Sequence, residues 1–119
     1  MKFQNGCWLL KEGFASFSPQ QIYDSRITED EVVICAPTAV VRGRGNTIDG
    51  INLTLRVTAP APEVIRVQAW HHKGGLKKGP AFELAEPAAG AMAVEETEKS
   101  ITVRSGSLSL ILEKGPWSM

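Results

Sequence analysis

The sequence predicts an all-β domain, either a β-sandwich or an open antiparallel meander, and three features carry that expectation. Apolar residues recur at period two in short runs, not at the spacing of a helix face. These runs are bounded by turn residues and follow one another every 8–12 residues or so, the rhythm of hairpin-connected strands. The one helix-like stretch, Ala-rich from Pro80 to Met92, is interrupted by Pro80, Pro87 and Gly90.

In chain order, the first candidates are the weakest: Cys7 to Leu10 and Phe14 to Phe17. Gln21 to Ile27 and Glu31 to Ala36 follow, joined by the tight turn Thr28-Glu29-Asp30. Arg42-Gly43-Arg44-Gly45-Asn46 reads as a turn in which Gly and Asn supply positive φ. Asp49-Gly50 then turns the chain into the clearest strand, Ile51 to Thr58. There Ile51, Leu53, Leu55 and Val57 point one way, and Asn52, Thr54, Arg56 and Thr58 the other. Ala59-Pro60-Ala61-Pro62 is expected to be a stiff turn, because its prolines cannot donate to a ladder. The next strand, Val64 to His71, sets Ile65, Val67 and Ala69 against Arg66, Gln68 and Trp70. Ala93 to Thr97, Ser100 to Ser105 and Ser107 to Glu113 complete the set, with turns at Glu98-Lys99 and Ser105-Gly106.

At 119 residues and 43% hydrophobic, the chain is sized for one domain, residues 1–119, with a real core and no internal repeat or linker. Thirteen basic residues balance thirteen acidic ones, so there is no field to gather nucleic acid or an anionic membrane. Neither is expected as a partner. Cys7 and Cys35 are too few for a disulfide framework or a four-ligand zinc site, and read as buried free thiols. Met1 to Gly6 lacks the apolar core of a secretory signal, and no run approaches the ~18 apolar residues of a membrane span. A cytoplasmic address is expected. Trp117, close to the end of the sequence, either tucks back onto the sheet or was covered by a further strand; the second reading, a truncated sandwich, is favoured.

Chemistry is sparse. His71-His72 lacks a third ligand at useful spacing, and neighbours on a strand point to opposite faces. Lys73-Gly74-Gly75-Leu76-Lys77-Lys78-Gly79-Pro80 is basic and glycine-rich, but lacks the Gly-Lys-Ser/Thr ending of a phosphate-binding loop. A solvated surface loop is expected. One arginine–glycine copy at Arg42 to Asn46 carries no nucleic-acid argument in a neutral chain. Trp8, Trp70 and Trp117 suit either packing or stacking on sugar rings. Trp70 shares the polar face of its strand, so it is either covered by other protein or is a binding residue.

Four segments give the chain a resemblance to glycoside hydrolase family 31, closest to the α-xylosidase branch. Met1-Lys2-Phe3 through Gly6, Trp8 and Leu9 resembles the start of bacterial members. Arg42 to Asp49 is similar to their Arg-Gly-x-Thr-Leu stretch, and Leu53 to Pro60 to the strand that follows. His71-His72-Lys73-Gly74, then Gly79-Pro80-Ala81-Phe82-Glu83-Leu84, resembles a His-aromatic-x-Gly…Gly-Pro-x-aromatic pattern, with His72 in place of the aromatic. Ser105 to Leu108 and Lys114 to Trp117 are similar to the last strands of that region.

The resemblance implies the N-terminal portion of a galactose mutarotase-like β-sandwich, lying ahead of a (β/α)8 catalytic barrel. Members retain anomeric configuration with two Asp side chains, a nucleophile and an acid/base, both housed in the barrel. The parent is therefore expected to release terminal α-linked xylose or glucose, while this chain alone is inactive, with no catalytic, cofactor or metal residues. Trp70, His71, Gly74, Gly79, Pro80 and Phe82 become candidates for contact with the barrel or its sugar site. The expected partner is the downstream barrel, with a homo-oligomer or strand-exchanged dimer in its absence. An autonomous carbohydrate-binding or protein-interaction module is the alternative.

Overall fold

The computed structural model describes residues 4–5, 9–48, 50–71 and 90–119. Two four-stranded antiparallel sheets are packed face to face. The first contains β3 (Asp24–Ile27), β4 (Glu31–Pro37), β5 (Asn52–Ala61) and β6 (Val64–Trp70), in that order. The second contains β7 (Ala93–Glu96), β8 (Ser100–Ser105), β9 (Leu108–Lys114) and the short β10 (Trp117–Ser118), ordered β10-β9-β8-β7. A separate ribbon pairs β1 (Gln4–Asn5) with β2 (Leu9–Leu10).

Period-two patterning decides which faces meet. Val32, Ile34 and Ala36 of β4 and Leu55 and Val57 of β5 point inward. They meet Ile101 and Val103 of β8 and Leu112 of β9, and together these eight side chains are the core. The alternate residues of β4, Glu31, Val33 and Cys35, lie on the outer face and are half-buried. Antiparallel register carries the alternation across the sheet, aligning Val32 with Val57 and Ile34 with Leu55.

The hairpin turns form as expected. Thr28 and Thr97 each donate their backbone N–H to the carbonyl three residues on, Glu31 at 2.9 Å and Ser100 at 2.8 Å. Their hydroxyls brace the same turns. Gly106 takes φ 58° between β8 and β9.

Four expectations are corrected. Ala59-Pro60-Ala61 is not a turn but the end of β5, and the ladder slips between Thr58 and Ala61. A break in register is where a proline, with no N–H to give, does least harm in a strand. The reversal falls at Pro62-Glu63 instead, with Glu63 at φ 60°. Arg44–Ile48 is a short 3₁₀ turn, closed by Asn46 N–H to the Gly43 carbonyl at 3.0 Å. Gly43 and Gly45 need no positive φ there. Phe14 to Phe17 forms no strand, and both phenylalanines are exposed.

The fourth correction is to the strand expected from Gln21, which begins only at Asp24. The residues before it bond to both sheets: Ile22 N–H to the Lys114 carbonyl, and Tyr23 N–H to that of Cys35, each at 2.9 Å. Trp117 packs back against the core and donates its N–H to the Gln20 carbonyl at 3.1 Å, so the indole is accommodated within this chain.

Candidate contact face around Trp70

Trp70 ends β6 on the outer face of the first sheet, and strand register sets its neighbours. It lies opposite Thr54 of β5, which lies opposite Cys35 of β4 and then Asp24 of β3. The next row along is Gln68, Arg56, Val33 and Arg26. Beyond it, Arg66, Thr58 and Glu31 align. An indole, an isopropyl group, two hydroxyls and three guanidiniums thus share one pleated surface.

Glu31 organises the charge on this face. Its carboxylate accepts from Arg56 Nε at 2.5 Å and from Arg26 Nη2 at 3.3 Å. Arg66 Nε donates to Thr58 Oγ1 at 3.2 Å, which helps to bury that hydroxyl. Gln68 Oε1 is buried and has no hydrogen-bond partner among the described residues. Between these groups lies a shallow depression of about 340 Å³, lined by Arg26, Glu31, Val33, Thr54, Arg56 and Trp70. A second, of about 280 Å³, continues past Asp24 and Cys35.

The arrangement does not suit glycosidic bond cleavage. Asp24 is in register with Cys35, four residues along β4 from Glu31, so the two carboxylates stand roughly 13 Å apart. A retaining pair needs about 5 Å and an inverting pair no more than about 9.5 Å. Glu31 is moreover held by two guanidiniums. Glu95 and Glu96 are neighbours on β7 and point to opposite faces. Lys114 Nζ donates to Glu96 at 2.7 Å and holds that carboxyl below the usual range. Glu63 is also held low, first by the Ser107 hydroxyl and then by the Ser107 N–H. No cluster of three metal-ligating side chains occurs among the described residues.

Of the sequence candidates, Trp70 is half-buried on the outer face and His71 is exposed just past β6. Gly74, Gly79, Pro80 and Phe82, with His72, lie outside the described residues. Sequence reasoning missed Arg26, Glu31 and Arg56 as companions of Trp70. Parity within each strand was available as a signal, but the register that aligns four strands was not. Cys35 is a free thiol whose S–H donates to Asn52 Oδ1 at 3.2 Å, beside a pocket of about 120 Å³. No described helix is long and apolar enough to cross a membrane.

Fold and face together define a two-sheet antiparallel β domain, polar outside and without a cleavage-competent acid pair among its described residues. The chain is related to the α-xylosidases. It is 32% identical over 116 residues to an α-xylosidase of Emericella nidulans, a match covering 98% of this chain and 15% of that protein. It is 29% identical over 114 residues to α-xylosidase XylQ of Lactiplantibacillus pentosus, covering 94% of this chain and 14% of that one. No family model matches the chain.

Proposed function

We propose that this chain is the N-terminal, non-catalytic β-sandwich portion of a retaining glycoside hydrolase of family 31, of the α-xylosidase type. The parent enzyme releases terminal α-linked xylose or glucose in the cytoplasm, and its two catalytic carboxylates reside in a (β/α)8 barrel. The sandwich packs on that barrel and helps to shape the entrance to the sugar site. One observation carries the reading: a likeness along 98% of this chain accounts for only 15% of the matched enzyme. The 13 Å separation of Asp24 and Glu31 supports assigning the chemistry elsewhere.

Trp70 and His71 are the described residues proposed to meet the barrel, together with the segment from Gly74 to Phe82. The test is to express the uninterrupted reading frame and substitute Trp70→Ala. A raised KM for an aryl α-xyloside is expected, and unchanged stability and kinetics reject the contact.

A second reading, an autonomous carbohydrate-binding module, is favoured by the depression beside Trp70, where an indole lies with two guanidiniums and a hydroxyl. Titration of the 119-residue chain with xylose-containing oligosaccharides separates the two readings. Saturable binding that Trp70→Ala removes supports the module, and its absence leaves the first reading alone.

A further inference from the structure

The two flanks of the sandwich are finished differently. On one flank β3 lies against β7, joined by the Ser25 hydroxyl donating to Glu96 at 3.4 Å. Both strands are four residues long and carry two charges each, Asp24 and Arg26 on one, Glu95 and Glu96 on the other. Short, charged edges of this kind discourage further pairing.

The opposite flank has neither protection. There β6 packs against β8 and β9. Over seven residues β6 carries a single charge, Arg66, and Leu108 to Leu112 of β9 carries none. The side of β9 away from β8 meets β10 only at Glu113 and Lys114, so Leu108 to Leu112 has no strand on that side among the described residues. The described part of the first sheet likewise ends at β6.

Burial shows the same lack of closure. Val32, Val57 and Val67 form one inward-facing row across β4, β5 and β6; the first two are fully buried, yet Val67 is 38% exposed. In the next row Ile34 and Leu55 are buried and Ala69 is exposed. Along β9, Leu112 is sealed, Leu110 is half-buried, and Leu108 is 44% exposed. The inner faces of both sheets therefore run beyond the cover available in these residues, on the same side of the molecule.

We infer that the β6/β9 flank is a docking site for strand-forming segments of the parent polypeptide outside these 119 residues, which extend both sheets and seal Val67, Ala69 and Leu108. The inference rests on the proposed function, since the occupant is drawn from the longer enzyme. The matched relatives devote only 15% and 14% of their length to this stretch, leaving ample chain to supply it. The chemistry required is an edge strand with alternating apolar residues, bonded through its backbone and pressing its side chains onto the exposed strip.

The experiment compares amide hydrogen exchange in the 119-residue chain and in the polypeptide of the uninterrupted reading frame. Alternate amides of β6 and of Leu108 to Leu112 should gain at least ~100-fold protection in the longer polypeptide, while those of β4 change little. Val67→Lys should lower that protection and leave the isolated chain folded. Equal exchange at the flank in both proteins overturns the inference, as does protection in the longer polypeptide that vanishes on dilution, because the occupant is then a second copy. Activity on an aryl α-xyloside is measured in parallel. An active enzyme with an unprotected flank defeats only the docking site; a protected flank on an inactive polypeptide defeats only the proposed function. A reading frame ending at Met119 defeats both.

Discussion

Glu63 and Ser107 tie the two sheets together at their hairpin tips. The Glu63 carboxylate, at the β5–β6 reversal, accepts the Ser107 N–H at 2.8 and 2.9 Å and the Ser107 hydroxyl at 2.7 Å. Beside it, the Ser105 hydroxyl donates to the Ala61 carbonyl at 3.4 Å, just past the slip in β5. A left-handed Glu63 and a left-handed Gly106 bring the tips into reach of each other.

This clasp makes stability depend on pH. Ser107 lowers the Glu63 pKa in the folded state, so the unfolded chain holds the proton more tightly. The stabilisation is therefore complete above the unfolded value, 4.5, and fades as pH falls through the lower folded value. Thermal midpoints between pH 3 and 7, an interval of roughly the carboxylate range, should show a smaller acid-side loss in Glu63→Gln than in the parent chain. Identical pH profiles would remove the clasp from the account.

Gly90 and Gly106 should respond differently to alanine. A Cβ on Gly90 would strike the Ala61 carbonyl, which is backbone, and the Gly90 N–H also bonds the Ala59 carbonyl at 3.1 Å. A Cβ on Gly106 would meet only the carboxyl end of Glu63, a side chain that can swing aside, although its positive φ adds strain. Gly90→Ala should cost about 1–3 kcal/mol, the scale of overpacking. Gly106→Ala should cost less and abolish the Glu63 pH dependence. Urea denaturation of both variants checks the order.

Adjacent residues of β9 test which face is the core. Leu112 is fully buried against Ile101 and Val103, whereas Ile111 points outward and is 55% exposed. Leu112→Ala should lose about 2–5 kcal/mol, and Ile111→Ala no more than about 0.5 kcal/mol. Comparable losses from the two would mean that the strand is turned over.

The charged outer face should contribute little to folding. The Arg56–Glu31 and Arg26–Glu31 pairs have solvent-exposed arginines, at 40% and 71% of the side chain, and are screened. Glu31→Gln should shift stability by less than about 1 kcal/mol, and the shift should shrink in high salt. A large, salt-insensitive loss would show that the face has a structural role.

Much of this architecture was legible because period two is a local property. Ile34, Leu55, Val103 and Leu112 could be assigned to inner faces from their own strands. The resemblance to α-xylosidases was legible as well, because it rests on short strings of residues spread along the chain. What escaped were relationships between strands. Pro60 looked like a breaker, since nothing local shows that the ladder slips there. Glu63 looked like an ordinary turn carboxylate, because its partner lies 44 residues away. The grouping of Arg26, Glu31 and Arg56 with Trp70 needed the register of four strands, which no single strand encodes.

The most direct test of the central claim is hydrolysis of an aryl α-xyloside by the purified 119-residue chain, alongside the polypeptide of its uninterrupted reading frame. The longer protein should cleave the substrate, and the chain alone should release no more aglycone than buffer. Turnover by the isolated chain that persists through purification would contradict the account, because it would place the reacting carboxylates within the sandwich.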